Sequence, residues 1–143
     1  MKWEEKTIGE ICNVISGGTP KRSRPDYWGG DISWVKISDM LQREIIKTEE
    51  TITLKGLNES SAKLLEPGTL LLSIFATIGR TAVIKVPAAT NQAIVGLKIT
   101  SNIVSRDYLL HYLKASEKRL KFLSRGIAQD NINTTILKNF PII

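Results

Sequence analysis

The side chains of this chain best suited to chemistry are Lys21, Arg22 and Arg24, set in the stretch GGTPKRSRPDYWGGDISWVK from Gly17 to Lys36. The chemistry they offer is recognition, not bond breaking. A guanidinium is a planar, permanently charged fork that takes two acceptors at once, which suits phosphate oxygens and base edges. Asp39 could accept from a cytosine amino group and Arg22 could grip guanine, the usual geometric pairings. Groups for covalent or metal chemistry are scarce. His111 is the single histidine and Cys12 the single cysteine, far apart in sequence, so neither a zinc site nor a Cys–His nucleophile is expected. Asp26, Asp31 and Asp39 each sit at an expected turn or strand end, where Asp serves local backbone hydrogen bonding better than magnesium. GGTPKRS has neither the Walker spacing nor the dinucleotide GxGxxG pattern. No Asp/Glu-x-Lys follows Pro25-Asp26 to complete a nuclease motif, and no Asn/Asp-Pro-Pro-aromatic element of amino-methyltransferases is present.

Those basic residues need a scaffold. Gly17 and Gly18 permit backbone angles closed to other residues, and Pro20 stiffens the exit from them. The basic stretch is thereby presented on an ordered arm, and Trp28 anchors its return. The run ISWVKIS, residues 32–38, is expected as a strand with Trp34 against the core and Lys36, Ser38 and Asp39 at its end. Thr7 and Glu10 have capping-box spacing for a short helix with Ile8, Ile11 and Ile15 inward. A short helix is expected over 59–65. TLLLSIFA and TAVIKV read as a buried hairpin around Thr77-Ile78-Gly79-Arg80, and AIVGLKIT, residues 93–100, as a third strong strand. From Asp107 the pattern turns helical. Leu109, Tyr112, Leu113, Leu120 and Leu123 form one stripe, with Lys114, Glu117, Lys118 and Lys121 opposite. The expected fold is mixed α/β: one curved, largely antiparallel sheet with a few peripheral helices.

With 143 residues, 42% hydrophobic and 24% charged, the chain fits one soluble globular domain. No apolar run is long enough to span a bilayer, and the N-terminus lacks the pattern of an export signal. One cysteine fits a reducing cytoplasm, with Cys12 as a buried small hydrophobe. Net charge is +6, and the charge is segregated. Residues 44–66 hold five acids against three bases, whereas 67–106 contain no acid at all. Lys114, Lys118, Arg119, Lys121 and Arg125 face Glu117 alone in 114–125. Such blocks point to a polyanion partner. Arg80, Lys114, Lys118, Lys121 and Arg125 are the expected phosphate contacts. The arm, Lys36, Ser38, Asp39, Gln129 and Asn131 are the expected base readers. Asn91 and Gln92 are amides suited to adenine but equally to backbone bracing, the reading preferred for both.

The same residues carry a resemblance. GGTPKRSRPDYWGGDISWVKISDM resembles the opening block of target recognition domains in the DNA-specificity subunit of type I restriction-modification enzymes, with Ser33 where that family usually has proline. PGTLLLSIFATIGRTAVI, ATNQAIVGL and GIAQDNINTTILKNFPI resemble its later blocks, in order, from Trp3 to Pro141. The resemblance implies a twisted sheet with peripheral helices and double-stranded DNA as the partner. It also implies a second recognition domain, and long helices that dock methyltransferase subunits and join a restriction subunit. Catalysis, with S-adenosylmethionine, ATP and magnesium, would lie on those partners and not on this chain. Residues 1–143 are then expected to be one recognition domain, the N-terminal one of a longer subunit. Two other readings stay open: a recognition domain of a single-chain restriction-methylation enzyme, and an RNA-binding module. The second is disfavoured because the few aromatics look like anchors and not base-stacking platforms. A small hydrolase is disfavoured by the missing catalytic set.

Overall fold

The runs LLLS and TAVI lack any alternation of polar and apolar side chains, the pattern of strands covered on both faces. Both are buried at every position. The computed structural model describes residues 5–124 and 132–143 and shows what covers them. In chain order its strands are β1 (Lys6–Thr7), β2 (Cys12–Ser16), β3 (Trp28–Val35), β4 (Glu44–Ile45), β5 (Glu50–Ile52), β6 (Leu70–Ser73), β7 (Thr81–Ile84), β8 (Ala88–Thr90), β9 (Ile94–Ile99) and β10 (Pro141–Ile142). The helices are α1 (Ile8–Ile11), α2 (Leu54–Asn58), α3 (Arg106–Ala115), α4 (Glu117–Ser124) and α5 (Thr134–Lys138), with 3-10 turns at Pro25–Tyr27 and Ile37–Leu41.

The fold is mixed α/β and mostly antiparallel, as expected, but the strands form three sheets and not one. A five-stranded sheet has the order β2-β9-β6-β7-β4, a three-stranded sheet the order β5-β3-β8, and β1 pairs with β10. Among the described residues only β3–β8 and β4–β7 run parallel. Because side chains alternate along a strand, each central strand feeds two cores. Leu70 and Leu72 of β6, Val83 of β7, and Val95 and Leu97 of β9 pack with Ile8, Ile11, Leu109, Leu113, Leu120 and Leu137 from the helices. Leu71, Ala82, Ile84 and Ile94 point the other way, to Val35, Met40, Leu65 and Ala88. The far side of the three-stranded sheet buries Trp34, Ile52 and Ala89 against Ala62. The layers are therefore helices, five-stranded sheet, three-stranded sheet, and the segment around Leu57 and Ala62.

Several expectations need correction. The helix expected over 59–65 lies earlier, at α2, because the Thr53 hydroxyl caps it by accepting the Gly56 N–H at 3.0 Å. The strand expected over 32–38 starts at Trp28 and stops at Val35, since the Asp39 carboxylate accepts the Lys36 N–H at 2.9 Å and turns the chain. Helix α1 does form with the Glu10 carboxylate accepting the Thr7 N–H at 3.0 Å. It ends after one turn, because Cys12 pairs with Ile99 in the sheet, and half-buried Ile15 lies on β2. The C-terminal stripe is broken at Ser116, whose hydroxyl donates back to the Tyr112 carbonyl at 2.7 Å, a bond that bends helices. Leu109, Leu113 and Leu120 are buried on it, whereas Leu123 is exposed and Lys114 and Glu117 are half-buried.

Candidate nucleic-acid interface

The arm leaves β2 through a gap too narrow for side chains. Positive-φ glycines among the described residues are Gly29, Gly68 and Gly79, so the unusual backbone angles expected at Gly17 and Gly18 are not what these positions use. They use space. A Cβ on Gly17 would lie 2.0 Å from the Asn91 carbonyl, and one on Gly18 2.2 Å from the Ser61 hydroxyl. The Gly18 N–H donates to the Thr90 carbonyl at 2.9 Å, and Pro20 beyond it is buried.

Two indoles then hold the arm. Trp34, buried, donates its Nε1–H to the Gly18 carbonyl at 3.0 Å, and half-buried Trp28 donates to the Lys21 carbonyl at 3.2 Å. Their rings meet edge to face at 5.0 Å. The Arg22 guanidinium lies over both, 4.1 Å from the Trp28 ring centre and 5.0 Å from that of Trp34, a cation–π placement that orients the fork. Arg24 lies 4.6 Å over the Tyr27 ring.

Carboxylates from neighbouring elements complete the arrangement. Glu50, opposite Trp34 in the β3–β5 register, accepts from Arg22 Nη1 at 2.5 Å and Nη2 at 3.2 Å. Lys36 Nζ reaches Glu49 at 3.0 Å and Glu50 at 3.1 Å. Arg22, and after it Lys36, hold the Glu50 carboxyl below its ordinary value. Glu49 and then Glu50 raise the Lys36 ammonium. Arg24 chelates Asp26 at 2.7 and 3.0 Å, and Lys55 joins at 3.0 Å; these two cations hold Asp26 far below the usual carboxylate range. Glu49 and Glu50 are what sequence reasoning missed, and the Asp26 carboxylate, expected to bond local backbone, pairs with Arg24 and Lys55. Residues 44–66 were legible as acidic, but which of them meets the arm depends on the register of β5.

Asp39 is buried and spends both oxygens on backbone, accepting from the Lys36 N–H and, at 3.1 Å, from the Glu49 N–H. Ser38 stands exposed on the same turn, and Lys21 is exposed on the arm. Asn91 accepts the Ala93 N–H at 3.0 Å, and Gln92 accepts from the Thr19 hydroxyl at the root of the arm. Half-buried Arg80 donates to the Ile37 carbonyl at 3.2 Å and so ties the β6–β7 turn to the turn carrying Ser38. One residue earlier, Gly79 lies against Glu117, where a Cβ would come within 2.8 Å of Glu117 Cγ. Exposed Lys118 and Lys121 follow directly on α4, Lys121 pairing with Glu117 at 2.9 Å. The β6–β7 turn thus touches both the turn carrying Ser38 and helix α4. Arg125, Gln129 and Asn131 lie outside the described residues.

Solved structures share this architecture. A chain from a type I R-M system complex superposes with a TM-score of 0.78 at 23% identity, over 98% of this chain and 33% of the other. The HsdS subunit from Thermoanaerobacter tengcongensis gives 0.75 at 23% identity, over 98% and 32%. The fold is therefore one found in chains of type I R-M systems, the HsdS subunit among them. Sequence carries the assignment further: the chain belongs to the type I restriction modification DNA specificity domain family, whose model matches residues 1–143. It is 34% identical to the type I restriction enzyme MjaIX specificity subunit of Methanocaldococcus jannaschii, over 98% of this chain and 33% of that protein. It is 32% identical to the HindI specificity subunit of Haemophilus influenzae, over 99% and 31%. The chain thus spans about a third of the length of the curated relatives it matches. By family it is a specificity module and not a catalytic one. Among the described residues no helix is long and apolar enough to cross a membrane.

Proposed function

We propose that the chain is a target recognition domain that reads duplex DNA sequence within a longer type I specificity subunit. In that reading it acts in the cytoplasm and directs methylation and cleavage by methyltransferase and restriction subunits. S-adenosylmethionine, ATP and magnesium belong to those partners. The observation that carries the reading is the Arg22 fork, held over Trp28 and Trp34 on a pinned arm. A fork ordered before binding loses less entropy when it meets a base edge, and two parallel donors match guanine O6 and N7.

In this reading Lys21, Arg22, Arg24, Lys36 and Ser38 face the bases, with Gln129 and Asn131 joining them. Asp39 braces the turn that presents Ser38. Arg80, Lys114, Lys118, Lys121 and Arg125 position the duplex through phosphates, for which a lysine's point charge suffices. The test is selection of retained sequences from a randomised duplex pool by the 143-residue chain, followed by binding to the selected and to a scrambled duplex. A reproducible motif bound well above the scrambled sequence is expected; equal binding to both would overturn the reading.

A further inference from the structure

The root of the arm is electrically closed. Arg22 and Lys36 converge on Glu50, and Lys36 also meets Glu49, so two cations face two carboxylates. Arg22 spends two of its N–H donors on the Glu50 carboxylate through the contacts at 2.5 and 3.2 Å. A basic arm built only to attract DNA would leave its charge open, as exposed Lys118 does, which has no ion-pair partner among the described residues. Glu50 is not placed there by the fold's need for a side chain between layers, because 28% of its side chain faces solvent, as does 55% of Arg22.

We propose that Glu50 is a specificity-setting residue, a carboxylate latch that keeps Arg22 and Lys36 from DNA phosphate while leaving Arg22 open to a neutral base edge. The physical basis is the sign of the competitor. A phosphate that approaches the fork meets the Glu50 charge only a few ångströms behind it, and like charges repel. A guanine edge offers two acceptors without net charge, so it can share the remaining donors of the fork with Glu50 in place. Five N–H donors on a guanidinium allow that sharing. Discrimination then arises from a repulsive element against the wrong site as much as from attraction to the right one. The inference rests on the recognition reading above and adds the group that sets its selectivity.

The experiment compares the wild-type chain with Glu50→Gln on selected and scrambled duplexes across a salt series. Glu50→Gln removes the charge at nearly constant shape. Binding to scrambled duplex is expected to tighten about tenfold near 0.1 M salt, with a salt slope about 0.9 steeper, the signature of one added phosphate contact. Binding to the selected duplex should tighten less, so the ratio between the two narrows. Glu49→Gln removes an equal charge from a carboxylate that, among the described residues, touches Lys36 and not Arg22, and should change the slope by less. Glu50→Asp keeps the charge but shortens the reach; it should fall between wild type and Glu50→Gln, and it carries the test if Glu50→Gln folds poorly. A Glu50 that merely props up the arm would weaken both duplexes together when replaced, and that result overturns the proposal. So does a Glu49→Gln effect equal to that of Glu50→Gln, which would mean bulk charge alone. Wild-type selectivity with no shift on replacement overturns the latch and leaves the recognition reading standing. No selectivity in the wild type overturns both.

Discussion

Trp34 donates its indole N–H to the Gly18 carbonyl at 3.0 Å, so the largest fully buried side chain also holds the foot of the basic arm. Replacing it tests packing and tethering separately. Trp34→Ala should cost about 3–5 kcal/mol by emptying a core site. Trp34→Phe keeps most of the ring but leaves the Gly18 carbonyl without its donor, a loss of about 1–3 kcal/mol. Urea unfolding gives both values. An alanine variant as stable as the parent would place the indole outside the core.

Gly17 at the start of the arm and Gly29 on β3 beyond its end are glycines for different reasons. Gly17→Ala drives a methyl to within 2.0 Å of the Asn91 carbonyl and should cost at least about 1–3 kcal/mol through forced backbone movement. Gly29 has φ +80° and open space around its Cβ position, so Gly29→Ala should cost only the left-handed penalty of about 1–2 kcal/mol. Thermal melts of the pair decide it; the reverse ranking would contradict the close approach.

Alkaline stability turns on Cys12. Burial pushes its thiol up to about 11 from an ordinary value of 9.0. The folded chain then holds this proton more tightly than the unfolded chain does. The stability linked to it is fully present below pH 9 and is lost as pH rises toward 11. Urea midpoints between pH 8 and 11 should fall more steeply for wild type than for Cys12→Ala, and parallel curves would refute the assignment.

At the acid end the sign reverses. Arg22 and Lys36 lower the Glu50 carboxyl from its ordinary 4.5, so the contribution of this group is present above that pH and is lost as pH falls below it. Wild type should lose more stability between pH 5 and pH 2 than Glu50→Gln does. The two acid titration curves would coincide if the carboxylate were unpaired in solution.

Helix lysines and arm arginines should separate in binding. Lys118→Ala should weaken all duplexes alike and lower the salt slope by about 0.9. Arg22→Ala should cost about 1–3 kcal/mol on a selected duplex and much less on a scrambled one. If the arginine variant behaved like the lysine variant, the arm would be an electrostatic clamp and not a reader.

Elements whose pattern is local were legible in the sequence. The β6–β7 hairpin follows from two apolar runs around a turn, and Leu109, Leu113 and Leu120 reveal the helical layer by their period. The division into three sheets was not legible. Strands β4 and β8 are two and three residues long and pair in parallel with distant partners, Ile45 with Ile84 and Val35 with Thr90, so no local signal marks them. The arm's basic residues were visible because charge is visible. Their carboxylate partners were not, because Glu50 meets Arg22 only once β5 has taken its register beside Trp34.

The pairing of β1 with β10 sets Lys6 beside Ile142 and Thr7 beside Pro141. The chain enters and leaves this unit at a single doorway, on the side of the helical layer that holds α1 and α5. A unit with adjoining ends can be excised and grafted at one junction without opening either of the larger sheets. A circular permutant joined through a short linker at that doorway and reopened at an exposed loop should therefore keep the layers intact, and so should a transplant into a host loop whose ends lie equally close.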